Sequence, residues 1–190
     1  MAFRVIGGRA HGRSLGVPRG GRTRPTSGVV RGALMNMLEQ RGWLADTIVL
    51  DLFAGTGALG IEALSRGARG AVFVESEPEA VRTLRANLER TGLAAQAEVL
   101  VMPMARALGL LERRRARVDG VLADPPYGGG WVARTLAAVA ASGVVPPGGW
   151  VGLEHCADEE AEPPEGFALV QSRQHGRTAI TLLARREGAA

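Results

Sequence analysis

Residues 48–60 carry the stretch Ile-Val-Leu-Asp-Leu-Phe-Ala-Gly-Thr-Gly-Ala-Leu-Gly. The apolar run at its start is interrupted only by Asp51, which is typical of a buried strand in a parallel sheet. Gly55 and Gly57 follow at once, and the apolar spacing after them predicts a helix that ends at Gly67. The stretch therefore predicts a strand, a tight glycine turn and a helix whose free N–H groups face the turn.

The glycines of this turn also fit the dinucleotide-binding pattern G-x-G-x-x-G, through Gly55, Gly57 and Gly60. The fit is weak evidence, because the chain contains 27 glycines. Asp51 argues against a dinucleotide, since a carboxylate at the end of this strand would repel a pyrophosphate and would suit an ammonium group. We expect Gly55 and Gly57 to let the backbone approach a ligand that a Cβ atom would block.

Length and composition indicate a globular protein. With 190 residues, 46% of them apolar, the chain suits one domain with a small appendage. It has neither an eighteen-residue apolar run nor a signal peptide, so we expect a cytoplasmic monomer with no membrane contact. Cys156 is the single cysteine, which excludes an internal disulfide. His11, His155 and His175 show no ligand spacing, and we predict no metal.

The charge is unevenly distributed. All 23 basic residues are arginine, and residues 1–38 hold seven of them without any acidic residue. The other 16 arginines face 19 acidic residues, so the net charge of +4 comes entirely from the N-terminal segment. Such a basic patch on a mildly acidic body predicts contact with phosphates. The alternative is a solvated arm without a ligand.

The N-terminal region is expected to form a small β-hairpin over residues 3–17, followed by a basic loop. Thr26 or Ser27 is expected to cap a helix that reaches about Gln40. We place the domain boundary so that residues 1–22 form the basic arm and residues 23–190 the main domain.

The main domain alternates strands and helices. Five strands separated by helices predict a doubly wound α/β sheet, and two further strands around residues 174–176 predict an antiparallel end. Ligands in such sheets bind beyond the carboxyl ends of the strands. Asp51, Glu75 and Asp124 all come at such ends. Glu75 is placed to accept hydrogen bonds from both hydroxyls of a ribose, which suits several nucleotide cofactors.

The sharpest chemical signal is Asp124-Pro125-Pro126-Tyr127, directly after an apolar strand. An exocyclic amine of a nucleobase is a poor nucleophile, because its lone pair is delocalised into the ring. The Asp124 carboxylate and the Pro125 carbonyl could accept its two hydrogens and aim the lone pair, with the prolines fixing the backbone. Tyr127 could stack on the base.

With the motif at 51–57, this tetrapeptide resembles those of S-adenosylmethionine-dependent methyltransferases that act on exocyclic amines. Nearly end to end, the chain resembles the bacterial small-subunit (16S) ribosomal RNA guanine-N2 methyltransferases of the RsmD type. The matching pieces are residues 4–9, 12–13, 24–26, 51–57, 59–60, 62–67, 73–75 and 124–127. The resemblance implies a class I methyltransferase fold, S-adenosylmethionine as donor (with S-adenosylhomocysteine as product), and guanine N2 of ribosomal RNA as acceptor. The RNA could be free, in the small subunit or in an assembly intermediate.

Site residues follow from the motifs and the resemblance together. The expected catalytic residues are Asp124, Pro125, Pro126 and Tyr127. The expected cofactor contacts are Thr26, Asp51, Phe53, Gly55, Gly57, Glu75, Ser76 and Met104. The N-terminal hairpin is expected to hold RNA through Arg4, Arg9, Arg13, Arg22 and Arg24.

Two stretches depart from the family pattern. Residues 101–105 lack the acid that the family usually carries near the adenine, so apolar and backbone contacts must serve there. Residues 27–32 lack the acidic positions that usually follow Arg-Pro-Thr. The second departure affects substrate positioning and leaves the enzyme class unchanged.

Three alternatives stay open from the sequence. A dinucleotide-dependent oxidoreductase would leave both the tetrapeptide at 124–127 and the arginine-rich segment unexplained. A non-catalytic RNA-binding assembly factor would have no use for Asp124. Within the enzyme class, an adenine-N6 or cytosine-N4 methyltransferase more often carries Asn before Pro-Pro-Tyr.

Overall fold

A computed structural model describes residues 3–18 and 28–188, and the elements below lie within them. The helices are α1 (Gly28–Glu39), α2 (Ala58–Ser65), α3 (Pro78–Thr91), α4 (Met104–Arg113) and α5 (Trp131–Ser142). The strands are β1 (Ile48–Asp51), β2 (Gly70–Glu75), β3 (Ala97–Val101), β4 (Gly120–Ala123), β5 (Trp150–Cys156), β6 (Phe167–His175) and β7 (Thr178–Arg185). The proposed helix caps Thr26 and Ser27 lie outside the described residues.

The strands form one sheet in the order β3-β2-β1-β4-β5-β7-β6. The first five are parallel, whereas β7 runs antiparallel to β5 and to β6. The predicted doubly wound sheet with an antiparallel end is confirmed. The strand order reverses between β1 and β4, which is where such sheets bind ligands.

Helices cover both faces of the sheet, so successive strand residues enter different cores. Val49 and Phe73 pack in the core beneath α1, α2 and α3. Leu50 and Val74 pack in the core beneath α4 and α5. Burial on both faces explains why these strands read as continuous apolar runs.

The N-terminal segment pairs antiparallel over a shorter stretch than the expected hairpin. The pairing consists of the bridge between Arg4 and Ser14 and of backbone hydrogen bonds such as that from the Val5 N–H to the Arg13 carbonyl (3.0 Å). Other backbone groups of the segment pair with side chains of the main domain. The Ala10 N–H donates to Ser65 Oγ (2.9 Å), and the Gly16 N–H donates to Asn87 Oδ1 (2.7 Å).

A buried charge cluster ties this segment to α1 and α2. The carboxylate of Glu62 accepts hydrogen bonds from the Ile6 N–H (2.9 Å) and the Gly7 N–H (2.7 Å). It also pairs with Arg66 Nε at 2.9 Å and lies 3.5 Å from Arg31 Nε. Burial lowers the pKa of the Arg31 guanidinium, and the negative charge of Glu62 opposes that shift. The N-terminal segment is thus packed onto the main domain.

Candidate active site

A cavity of about 1030 Å³ opens at the carboxyl ends of β1, β2 and β4. Most of the site residues expected from the sequence lie on its wall. They are Phe53, Gly55, Glu75, Ser76, Met104, Asp124, Pro125, Pro126 and Tyr127. The sheet brings them together because parallel strands end at one edge.

The other expected site residues lie elsewhere. Asp51 and Gly57 are buried beneath the cavity wall. Arg4, Arg9 and Arg13 are exposed on the N-terminal segment. Thr26, Arg22 and Arg24 lie outside the described residues.

Asp51 is fully buried at the end of β1, and its Oδ2 accepts a hydrogen bond from the Gly60 N–H at 3.0 Å. The pKa of the Asp51 carboxyl is raised to about 7, chiefly by burial and in smaller part by the nearby charges of Asp124 and Glu75. The hydrogen bond from Gly60 acts in the opposite direction. Three carboxyl groups, those of Asp51, Glu75 and Asp124, thus lie near one another, and a cationic ligand at this place would favour the ionised form of Asp51.

Glu75 is held by three backbone N–H groups. Its Oε2 accepts from Gly55 (2.7 Å), and its Oε1 accepts from Ser76 (2.7 Å) and Glu77 (2.8 Å). These bonds fix the carboxylate at the cavity wall and occupy three of its roughly four acceptor positions, which leaves one on Oε2. Glu75 can therefore receive a hydroxyl group of a ligand without moving.

The two turn glycines serve different purposes. A Cβ atom on Gly55 would have only the Phe53 carbonyl at 4.0 Å, so this position is open. A Cβ atom on Gly57 would lie 2.2 Å from Leu84 Cδ1 and 3.2 Å from Ile61 Cδ1. At Gly57 the protein itself leaves no room for a Cβ atom, and the close ligand approach that we expected at both glycines stays a prediction.

Gly57→Ala should therefore destabilise the fold rather than selectively affect a ligand. Gly55 and Gly57 both have positive φ, so each alanine variant loses about 1–2 kcal/mol to backbone strain. Only Gly57→Ala adds the collision with Leu84, worth a further 1–3 kcal/mol or so. Urea unfolding of both variants measures the difference, and equal losses would contradict the packing role.

On the side of β1 away from Glu75, the cavity is formed around the Asp124-Pro125-Pro126-Tyr127 turn. Tyr127 is about half exposed, and its hydroxyl lies 3.3 Å from Thr178 Oγ1. Trp131, at the start of α5, meets Phe53 edge-on with ring centroids 6.0 Å apart. Aromatic rings thus border a space next to Asp124 that suits a flat ring.

Several residues of this wall were not among the site residues that we expected from the sequence. The turn between β6 and β7, residues 175–178, closes one side of the cavity. Glu154 also lines it and is only 3% exposed. Its signal was present in the sequence, because an acid within the apolar strand Trp150–Cys156 is as unusual as Asp51 within β1.

The expected apolar wall is present where the family usually carries an acid. Met102, Pro103, Met104 and Ala105 line the cavity beyond the end of β3. These groups can pack against an aromatic base.

The described N-terminal arginines lie mostly away from the cavity. The Arg9 N–H donates to the Ser65 carbonyl (2.8 Å), and Arg13 Nη1 donates to the Arg90 carbonyl (2.8 Å). Both carbonyls lie at the ends of α2 and α3 that are far from the cavity. Arg4 is nearer, since its neighbour Phe3 lines the cavity.

Neither a membrane span nor a metal cluster is found among residues 3–18 and 28–188. No helix there is long and apolar enough to cross a bilayer. No group of three or more His, Cys, Asp and Glu side chains there is arranged to hold a metal ion.

Comparison with protein families gives one match that spans nearly the whole chain. Residues 3–184 fit the family described as conserved hypothetical protein 95. The chain is 36% identical over 172 residues to ribosomal RNA small subunit methyltransferase D of Escherichia coli, which covers 88% of this chain and 79% of that protein. It is 35% identical over 187 residues to YlbH of Bacillus subtilis, with 97% and 100% covered.

A solved structure is similar over nearly the whole chain as well. The Escherichia coli protein yhhF superposes with a TM-score of 0.83 at 31% identity, covering 98% of this chain and 99% of that one. The similarity therefore extends over both the N-terminal segment and the sheet.

Proposed function

The chain belongs to the RsmD-type family described as conserved hypothetical protein 95, and from this we propose that it methylates the exocyclic N2 of a guanine in small-subunit ribosomal RNA. It is an S-adenosylmethionine-dependent ribosomal RNA methyltransferase. The observation that carries the finer proposal is the turn at 124–127, which lines the same cavity as Glu75.

The residues present fit the cofactor. Glu75, already oriented by backbone N–H groups, would accept from the ribose hydroxyls. Met104 and its neighbours would pack against the adenine, and the anionic surroundings of Asp51 would favour the positive charges of the methionine part. When bound, S-adenosylmethionine supplies an electrophilic methyl group and leaves as a neutral thioether.

The acceptor end would prepare the amine. Asp124 and the Pro125 carbonyl would accept the two N2 hydrogens, and Tyr127 would stack on the base. The nitrogen becomes cationic as its bond to the methyl carbon forms, so the negative charge of Asp124 stabilises the transition state more than the ground state. After the methyl group has been transferred, the cationic nitrogen loses one of its hydrogens as a proton, and the Asp124 carboxylate accepts it.

Transfer of a tritiated methyl group tests the proposal. Small-subunit particles, protein-free small-subunit RNA and isolated ribosomal proteins are offered as separate acceptors, since other relatives of this chain are named as ribosomal protein L11 methyltransferases. We expect label in RNA and N2-methylguanosine as its product. Label confined to protein, or to adenosine or cytidine, would overturn the proposal.

Cofactor affinity should depend on pH through Asp51. The pKa of about 7 lies above the usual aspartate pKa of 3.8, so ionisation of Asp51 costs folding free energy as the pH rises towards 7. A cationic ligand offsets that cost, and its affinity should rise up to about tenfold between pH 5.5 and 7.5. Calorimetric titrations of wild type and Asp51→Asn with S-adenosylmethionine measure the affinity at each pH. An equal rise of the affinity in both proteins would exclude Asp51 as the cause.

The N-terminal arginines are proposed to contact RNA phosphates. Replacing Arg4, Arg9 and Arg13 together by Gln should reduce the slope of log affinity against log salt by about one for each lost phosphate contact. Cofactor affinity should not change. The matched control replaces three arginines at and after the end of α4, namely Arg113, Arg115 and Arg117. Equal slopes in wild type and the N-terminal variant would contradict the role.

A further inference from the structure

Glu154 lies beside Asp124 on the neighbouring strand. Parallel pairing of β4 with β5 aligns Ala123 with Leu153, so the next residues, Asp124 and Glu154, emerge side by side. Neighbouring strands are about 4.8 Å apart. Both side chains line the cavity. Two carboxylates thus meet where the target base is proposed to sit.

The burial of Glu154 is costly for the protein. A carboxylate that is 3% exposed loses most of its hydration, and this cost is tolerated only where charges or donors compensate it. The buried guanidinium of Arg31 attracts Glu154. Among the described residues, Arg31 also lies 3.5 Å from Glu62 and donates to the Arg4 carbonyl at 2.6 Å. The positive charge therefore serves two carboxylates, of which only Glu154 lines the cavity.

Guanine presents a specific set of donors to such a pair. Its N2 amine and its N1–H lie next to each other on one edge, and both donate. Asp124 and the Pro125 carbonyl account for the two N2 hydrogens in the proposed function. The N1–H then needs a third acceptor on the same side. Adenine, cytosine and 2-aminopurine instead carry an acceptor at the ring nitrogen beside the amine.

We propose that Glu154 accepts the N1–H of the target guanine and thereby sets the base specificity of the enzyme. The inference rests on the proposed function, which it deepens. A base that carries a lone pair at this ring nitrogen has no hydrogen to donate there, and the lone pair would repel the Glu154 carboxylate. Sites built to bond a specific hydrogen reject analogues that lack it far more strongly than sites that select by shape.

The base 2-aminopurine separates this role from a structural one. It keeps the reacting N2 amine but has an acceptor at N1 and lacks O6. Synthetic RNA carries guanine or 2-aminopurine at the target position mapped by mass spectrometry, and kcat/KM for methyl transfer is measured for each. Wild type should favour guanine by at least about 100-fold.

Glu154→Gln should lower the ratio of kcat/KM on guanine to kcat/KM on 2-aminopurine, or bring it below one, because the amide can donate to N1 of 2-aminopurine. Glu154→Ala should lose activity on guanine without the gain on 2-aminopurine. Calorimetric affinity for S-adenosylmethionine should stay within about twofold in both variants.

Two results would overturn the role of Glu154. One is that the wild-type enzyme methylates guanine and 2-aminopurine equally well, a test that does not depend on any variant being folded. The other is a folded Glu154→Gln variant whose activities on the two bases fall by the same factor. If wild type fails to methylate the guanine RNA at all, the proposed function itself fails.

Discussion

Asp124→Asn is expected to slow methyl transfer by at least about 100-fold, the scale of one lost electrostatic contact. Asn keeps the shape and one acceptor oxygen, so the bound guanine should still be held. The charge is lost, and the charge matters most when the nitrogen becomes cationic. Asp124→Ala should be slower still, because both acceptor oxygens are removed.

Single-turnover transfer measures this rate, and the affinities for S-adenosylmethionine and RNA are measured separately. The matched control is Asp46→Asn, at an exposed residue whose side chain pairs with the exposed Arg69. The control should behave as wild type. Near-native turnover in Asp124→Asn, or a loss explained by weaker cofactor binding, would refute the orienting role.

Glu62→Ala should cost about 3–5 kcal/mol of folding free energy, the range for breaking a buried ion pair. The substitution leaves the buried guanidinium of Arg31 without its nearest carboxylate. It also removes the acceptor for the N–H groups of Ile6 and Gly7. Since whole domains are stable by only about 5–15 kcal/mol, this loss would remove a large fraction of the free energy of unfolding.

Urea unfolding of Glu62→Ala and of a surface control provides the measurement. The control, Glu98→Ala, removes a carboxylate whose pair with Arg114 is half exposed, and such pairs contribute about 0–1 kcal/mol. We expect a clear difference between the two variants. Equal losses would show that the buried cluster contributes no more than a surface pair.

The sheet and its ligand edge could be predicted because their signals are local. Apolar runs and terminal glycines predict the strands and helices, and helix α3, for example, ends at Thr91 directly before Gly92. Asp51, Glu75 and Asp124 lie at the ends of the apolar runs that form β1, β2 and β4. Parallel pairing then brings their strand ends to one edge without further information.

The remaining features depend on contacts between residues distant in sequence. Between the paired arms of the N-terminal segment, the N–H groups of Ile6 and Gly7 donate to Glu62, which is more than fifty residues away in the sequence. Gly57 is glycine because of Leu84, which lies on the next helix. Glu154 belongs to the site because of strand register. Local periodicity does not record which distant side chain completes a contact.

Mass spectrometry of small-subunit ribosomal RNA tests the central proposal most directly. Nucleosides are compared between a strain that lacks the gene, the same strain with the wild-type gene restored, and one with Asp124→Asn. We expect one N2-methylguanosine per small subunit to disappear in the deletion strain, to return with wild type and to stay absent with Asp124→Asn. Unchanged N2-methylguanosine in the deletion strain, or loss of a methylated adenosine or cytidine instead, would contradict the proposed reaction.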